Sequence, residues 1–155
     1  MEAVVALLSF MILLILFTYA DRRLGTLEII ACSALAVTIN NELLNVISLN
    51  VESYKGINIP GKWLLVEFHH LLAPMLLLWT LHYVVRARSG IGRALAVLTG
   101  ACALAAAEFL TVHASLVQLA YWPLWLSLLV WLCVAAVLVL FLRIYRTILL
   151  KEAAK

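Results

Sequence analysis

The sequence predicts an all-α polytopic membrane protein, a bundle of five transmembrane helices with the N-terminus outside and the C-terminus inside. Three properties of the 155 residues carry that expectation: 66% are apolar and only 12% charged, the mean hydropathy is +1.12, and the basic residues gather where one side of a membrane would lie. A water-soluble domain is roughly half apolar and a quarter charged. Crossing a hydrocarbon layer of roughly 30 Å takes about 20 apolar residues per helix. The length therefore suits one transmembrane domain over 1–155 and leaves no room for a separate soluble one.

The first predicted span, 3–20, has no basic residue ahead of it and no small-residue cleavage signal behind it, so it reads as a retained helix rather than a leader. The second, 27–49, opens with Glu28 near an interface, stays apolar through Ala36 and then turns polar at Asn40, Asn41, Glu42 and Asn45. A connector with Gly56, Pro60 and Gly61 breaks helix. The third span, 63–85, carries Glu67, His69, His70 and Pro74, and a basic turn follows with Arg86, Arg88, Ser89 and Arg93. The fourth span is 94–118. Tyr121, Trp122, Pro123 and Trp125 mark an interfacial turn, and the fifth span covers 126–142 or slightly more.

Cytoplasmic loops are enriched in Lys and Arg. With the N-terminus outside, the inner segments hold Arg22, Arg23, Arg86, Arg88, Arg93, Arg143, Arg146, Lys151 and Lys155, nine of the eleven basic residues; only Lys55 and Lys62 fall outside. The second and fourth spans then run outward, the third and fifth inward. At about 1.5 Å per residue, Glu42 and Asn45, Glu67 and His70, and Glu108 and His113 all come to one layer of the outer half.

A charge at mid-membrane costs from about 2.5 kcal/mol upward, and such groups face a bundle interior, a watery cavity or one another. Asn41, Glu42, Asn45, Glu67, His70 and Glu108 are thus the candidate ligand or proton site. A metal would take Glu67, His70, Glu108 and Glu42, with His69 and His113 as further donors. On an ideal helix Glu67, His70 and Pro74 share a stripe with Trp63, whereas His113 lies about 140° from Glu108. The bland alternative for each residue is a hydrogen bond to a neighbouring helix.

Glu67 and His70 form the Glu-x-x-His spacing of carboxylate di-iron bundles, but the second such pair is missing. A haem would need His70 or His69 opposite His113. A proton or cation relay would use the same layer, although the inner half of every span is nearly all apolar. An accessory subunit, docking to other membrane subunits or to copies of itself, would use the layer for packing. No P-loop, dinucleotide fingerprint or nucleophile constellation is present to indicate an enzyme, and no nucleic-acid partner is expected; the lipid bilayer is.

His82, one turn before Arg86, reads as interfacial. Cys32, Cys102 and Cys133 lie singly within spans and match no zinc pattern. The fourth span is rich in small residues, with Ala96 and Gly100 four apart, which lets helix backbones approach closely. It is expected at the centre, with the first and fifth spans at the periphery.

The stretch Phe68 to Pro74 (FHHLLAP), Glu108, and the stretch Ser115 to Trp125 (SLVQLAYWPLW) together resemble a family of small integral membrane proteins of uncharacterised function from spore-forming Gram-positive bacteria. The resemblance covers about the C-terminal two thirds and implies a multi-pass topology in a bacterial cytoplasmic membrane, with no activity attached. His69 and His70 depart from it, standing where that family is largely apolar.

Overall fold

A computed structural model describes residues 11–12, 14–17, 24–46, 68–114 and 123–153, the side chains at 44, 68, 69, 111–114, 124, 150, 152 and 153 excepted. Among them there is no strand. Helix α1 is Thr26–Asn45, a π-helical turn at Phe68–Leu72 leads into α2, Ala73–Arg86, and α3 and α4 are Gly90–Ala114 and Leu124–Ala153. Residues 11–12 and 14–17 are also helical. Among the described residues two stretches are long and apolar enough to cross a membrane, Gly90–Leu110 and Trp125–Leu149.

Local chemistry sets the breaks. Pro74 has no N–H to give the carbonyl four residues back and its ring crowds that carbonyl, which belongs to His70. The five residues up to Leu72 adopt the wider i→i+5 winding, the form helices take around such an obstacle. Between α2 and α3 only Ala87, Arg88 and Ser89 intervene. Ser89 Oγ accepts the amide of Gly92 at 3.0 Å, capping α3, and Arg93 Nε donates to the Ala87 carbonyl at 3.2 Å. At the start of α1 the Glu28 carboxylate reaches back to the Gly25 amide at 3.0 Å.

Neighbouring helices alternate in direction. The short turn at 87–89 makes α2 and α3 antiparallel, and α3 returns along α4. The start of α1 is fastened to the far end of α4, because Arg146 grips Glu28 with Nε to Oε1 at 2.7 Å and Nη2 to Oε2 at 2.9 Å. The end of α1 packs against the π turn. The four helices form a ring in chain order, with α2 and α4 also touching across it.

Helices α1, α3 and α4 each bury one stripe, whereas α2 is buried over most of its surface. Cys32, Ala36 and Asn40 point inward from α1, Leu77 and Leu81 from α2, Ala101, Leu104, Ala105 and Glu108 from α3, and Trp131, Ala135, Leu138 and Leu142 from α4. The spacing of three and four residues is that of one helical face. The opposite faces remain apolar: Ile30, Ile91, Leu110, Leu129, Leu140 and Ile148 are all exposed. A surface of that kind suits lipid and would be an aggregation hazard in water. Hydroxyls on the helices are satisfied locally, as where Thr80 Oγ1 donates to the Leu76 carbonyl at 2.8 Å and Thr99 Oγ1 to the Leu95 carbonyl at 2.8 Å.

The close approach expected of the small residues occurs between α2 and α3. A Cβ on Gly100 would lie 2.7 Å from Thr80 Cγ2 and 2.9 Å from Thr80 Cβ, so only glycine fits this crossing. The expected ranking of the helices is reversed, however. Among the described helices the fourth span, here α3, packs on α2 and α4, whereas the fifth, here α4, meets α1, α2 and α3 and supplies the large buried Trp131. His82 also departs from expectation. It is 1% exposed, held edge-on by Phe17, Trp79 and Tyr83 with ring centroids 6.3, 5.8 and 5.5 Å away.

Candidate functional site

The buried polar groups can be placed along the bundle by counting turns from two fixed contacts. From the Thr80–Gly100 crossing, Glu108 is eight residues further along α3, about 12 Å, and His70 is ten residues back along the antiparallel α2 and its π turn, about 15 Å. From the Glu28–Arg146 pair, Asn40 is about 18 Å along α1 and Trp131 about 22 Å along α4. All four lie toward one end of the ring. The basic residues Arg86, Arg88, Arg93, Arg143, Arg146 and Lys151 lie at the other end.

Glu108 is the centre of this layer. Its side chain points into the ring because it continues the Ala101, Leu104 and Ala105 stripe, and only 4% of the residue is exposed. Trp131 Nε1 donates to Glu108 Oε2 at 2.7 Å, and the Ser127 hydroxyl bonds the same carboxyl. Ser127 and Trp131 are four residues apart and therefore present both donors from one face of α4. Both are neutral. An ionised carboxylate here would keep its full negative charge in an apolar interior, so the arrangement calls for a proton or a cation beside it.

Asn40 is another buried polar group of this layer, 1% exposed, and neither Nδ2 nor Oδ1 has a hydrogen-bond partner among the described residues. A buried amide without partners costs roughly 1–3 kcal/mol. Its carbonyl oxygen is a hard ligand and its amide a donor, so the group can hold a small polar guest in either charge state.

The sequence-predicted residues fall into three groups. Glu108 is inside. Asn41, on α1, and His70, in the π turn, are half-buried on adjacent elements, while Glu42 and Asn45 are exposed on the outside of α1. Glu67 and the side chains of His69 and His113 lie outside the described residues. Among the described residues no three of His, Cys, Asp and Glu stand close enough to hold a metal ion. Cys32 is buried, and Cys102 and Cys133 face outward.

Sequence reasoning missed Asn40, Trp131 and Ser127 as members of this layer. The signal for Asn40 was present: it repeats the four-residue step of Cys32 and Ala36, two small residues of the kind that mark a contact face. For Trp131 the signal was an indole donor at mid-span, in a helix otherwise nearly free of polar atoms, since a buried indole N–H requires an acceptor. The Glu28–Arg146 pair, separated by 118 residues, was also missed, although both residues were expected at the inner end of their spans.

Comparison with known protein families, curated proteins and solved structures finds no match to this chain.

Proposed function

We propose that this chain is a five-span membrane protein, N-terminus outside and C-terminus inside, whose outer polar layer binds a small cation, with a divalent metal as the leading candidate. The observation that carries the reading is Glu108: a carboxyl 4% exposed among apolar helices, whose partners among the described residues are two neutral donors, Trp131 and Ser127. Support for the topology comes from the alternating helix directions, which bring Arg86, Arg88, Arg93, Arg143, Arg146 and Lys151 to one end, as basic cytoplasmic rims do. Asn40 adds an unengaged amide to the same half of the ring. Glu67 and His70 would complete the site.

A second reading has its own support. Trp131 and Ser127 occupy the Glu108 carboxyl, so the layer also reads as a clasp that fixes α3 on α4 in an accessory subunit.

Thermal stability in detergent, with and without added divalent metal, separates the two. The comparison uses the parent, Glu67→Gln, Glu108→Gln and the double variant. Glutamine keeps an oxygen for the Trp131 indole but cannot carry the charge. The cation site predicts a metal-dependent rise in the parent that both single variants lose. The clasp predicts a loss of stability in Glu108→Gln whatever stands at position 67, with no metal response. Additive effects without a metal response reject the cation site, and a Glu108→Gln protein as stable as the parent rejects the clasp. A haem on His70 and His113 would show as a Soret band abolished by either alanine substitution, and none is expected.

A further inference from the structure

We infer that the groove between α2 and α3 is a binding site for an acyl chain of an anionic phospholipid, with the lipid phosphate seated at Arg86. The inference needs the chain to lie in a membrane and is independent of the Glu108 layer. The groove encloses about 730 Å³. Its floor exists because α3 presents Gly92, Ala96, Gly100 and Ala103 where larger residues would fill the space, and its wall is the stacked pair Trp79 and Tyr83, 5.7 Å apart and 28° from parallel. Leu16 closes the remaining edge.

The shape and polarity select the guest. From Gly92 to Ala103 the floor runs about 17 Å along α3, long and narrow as an alkyl chain is. The lining is nearly all apolar apart from Thr80, Thr99, Tyr83 and, at one end, the guanidinium of Arg86. Thr80 and Thr99 have already given their hydroxyl protons to Leu76 and Leu95. Among the described residues no acidic one lines the groove. Arg86 sits where α2 ends and the basic turn begins, with Arg88 and Arg93 beside it, so the charged end of the groove opens at the interface where headgroups lie. An arginine at that place binds phosphate through its planar fork of donors. An apolar slot in the hydrocarbon layer, ending in a cation at headgroup depth, matches a phospholipid chain and its phosphate together.

The test uses the full chain in nanodiscs and in detergent. Phosphatidylglycerol and phosphatidylcholine with identical chains are compared by native mass spectrometry, and a phosphatidylglycerol with a photoactivatable chain is mapped by peptide sequencing. The expected result is preferential retention of phosphatidylglycerol by about fivefold, the factor one arginine contributes toward an anionic lipid, with crosslinks on Leu76, Trp79, Leu95 and Ala103. Arg86→Gln should bring the two lipids to parity, Arg86→Lys should keep most of the preference, and Ala103→Trp, which fills the floor, should reduce retention of both. Equal retention by the parent overturns the inference. So do crosslinks spread evenly over the outward residues of α4 such as Leu129 and Leu140, and so does displacement of the lipid by inorganic phosphate alone. Should Arg86→Gln fail to fold, the crosslink map on the parent decides.

Discussion

Trp131 and Glu108 are joined across two helices by one short hydrogen bond, Nε1 to Oε2 at 2.7 Å, in which the indole uses its single side-chain donor on a carboxyl whose residue is only 4% exposed. Removing the donor while keeping a ring should expose what the bond contributes. Trp131→Phe leaves Glu108 with Ser127 and costs about 1–3 kcal/mol, the range for stranding a buried acceptor. In the Glu108→Gln background the same change should cost less, because a neutral amide loses less when a donor is withdrawn. Thermal unfolding of the four proteins in one detergent measures the cycle, and equal costs in both backgrounds would show that the bond has no special strength.

The Glu28–Arg146 pair closes the ring at its basic end. Glu28 is only 12% exposed at its side chain and Arg146 36%, so the carboxylate suffers more when stranded than the guanidinium does. Arg146→Leu is therefore expected to destabilise more than Glu28→Gln, by about 1–3 kcal/mol for charge-assisted bonds. Exchanging the two residues, Glu28→Arg with Arg146→Glu, should recover part of the loss. An exchange variant no better than the sum of its singles would remove the pair as the fastening of α1 to α4.

Gly100 and Thr80 make a steric prediction. Gly100→Ala places a methyl against Thr80 and should lower stability by about 1–3 kcal/mol, as overpacking does. Thr80→Ala, which withdraws the γ atoms, should rescue it in part. The measure is the melting temperature of each single and of the double variant. A Gly100→Ala protein as stable as the parent would mean that α2 and α3 can separate without cost.

Topology is tested by accessibility. A cysteine at Ser53 should react with an impermeant thiol reagent from outside, and one at Ser89, in the exposed turn between α2 and α3, from inside. Labelling of both from the same face would undo the shared-layer argument that groups Glu42, Glu67 and Glu108.

The parts of this architecture that the sequence discloses are those with local causes. Pro74 interrupts regular winding, Ser89 caps a helix and Gly100 permits close approach, and each follows from a residue's own chemistry. What is not disclosed is which apolar face is buried in the bundle and which is exposed. Leu138 is wholly buried and Leu140, two residues on, is largely exposed, yet both are leucine in a leucine-rich helix. Because lipid and core are equally apolar, hydropathy carries no sign that α4 is central. The candidate site divides in the same way. Glu108 stands out because burying a carboxyl is costly, whereas choosing Asn40 over Asn41 needs a rotation of about 100° that only helix packing supplies. His82 was misplaced for a related reason: Arg86 four residues later suggests an interface, but Phe17 arrives from another segment to cover the imidazole.

The π turn before Pro74 has one more consequence. A wider turn spends an extra residue on nearly the same rise, so it acts as a one-residue insertion in the rod and advances the phase of whatever precedes it by about 100°. A helical wheel for this helix must be drawn in two pieces that meet at Leu72. Pro74 then works as an angular stop: through the backbone it sets the compass bearing of His70 relative to the Leu77 and Leu81 face of α2.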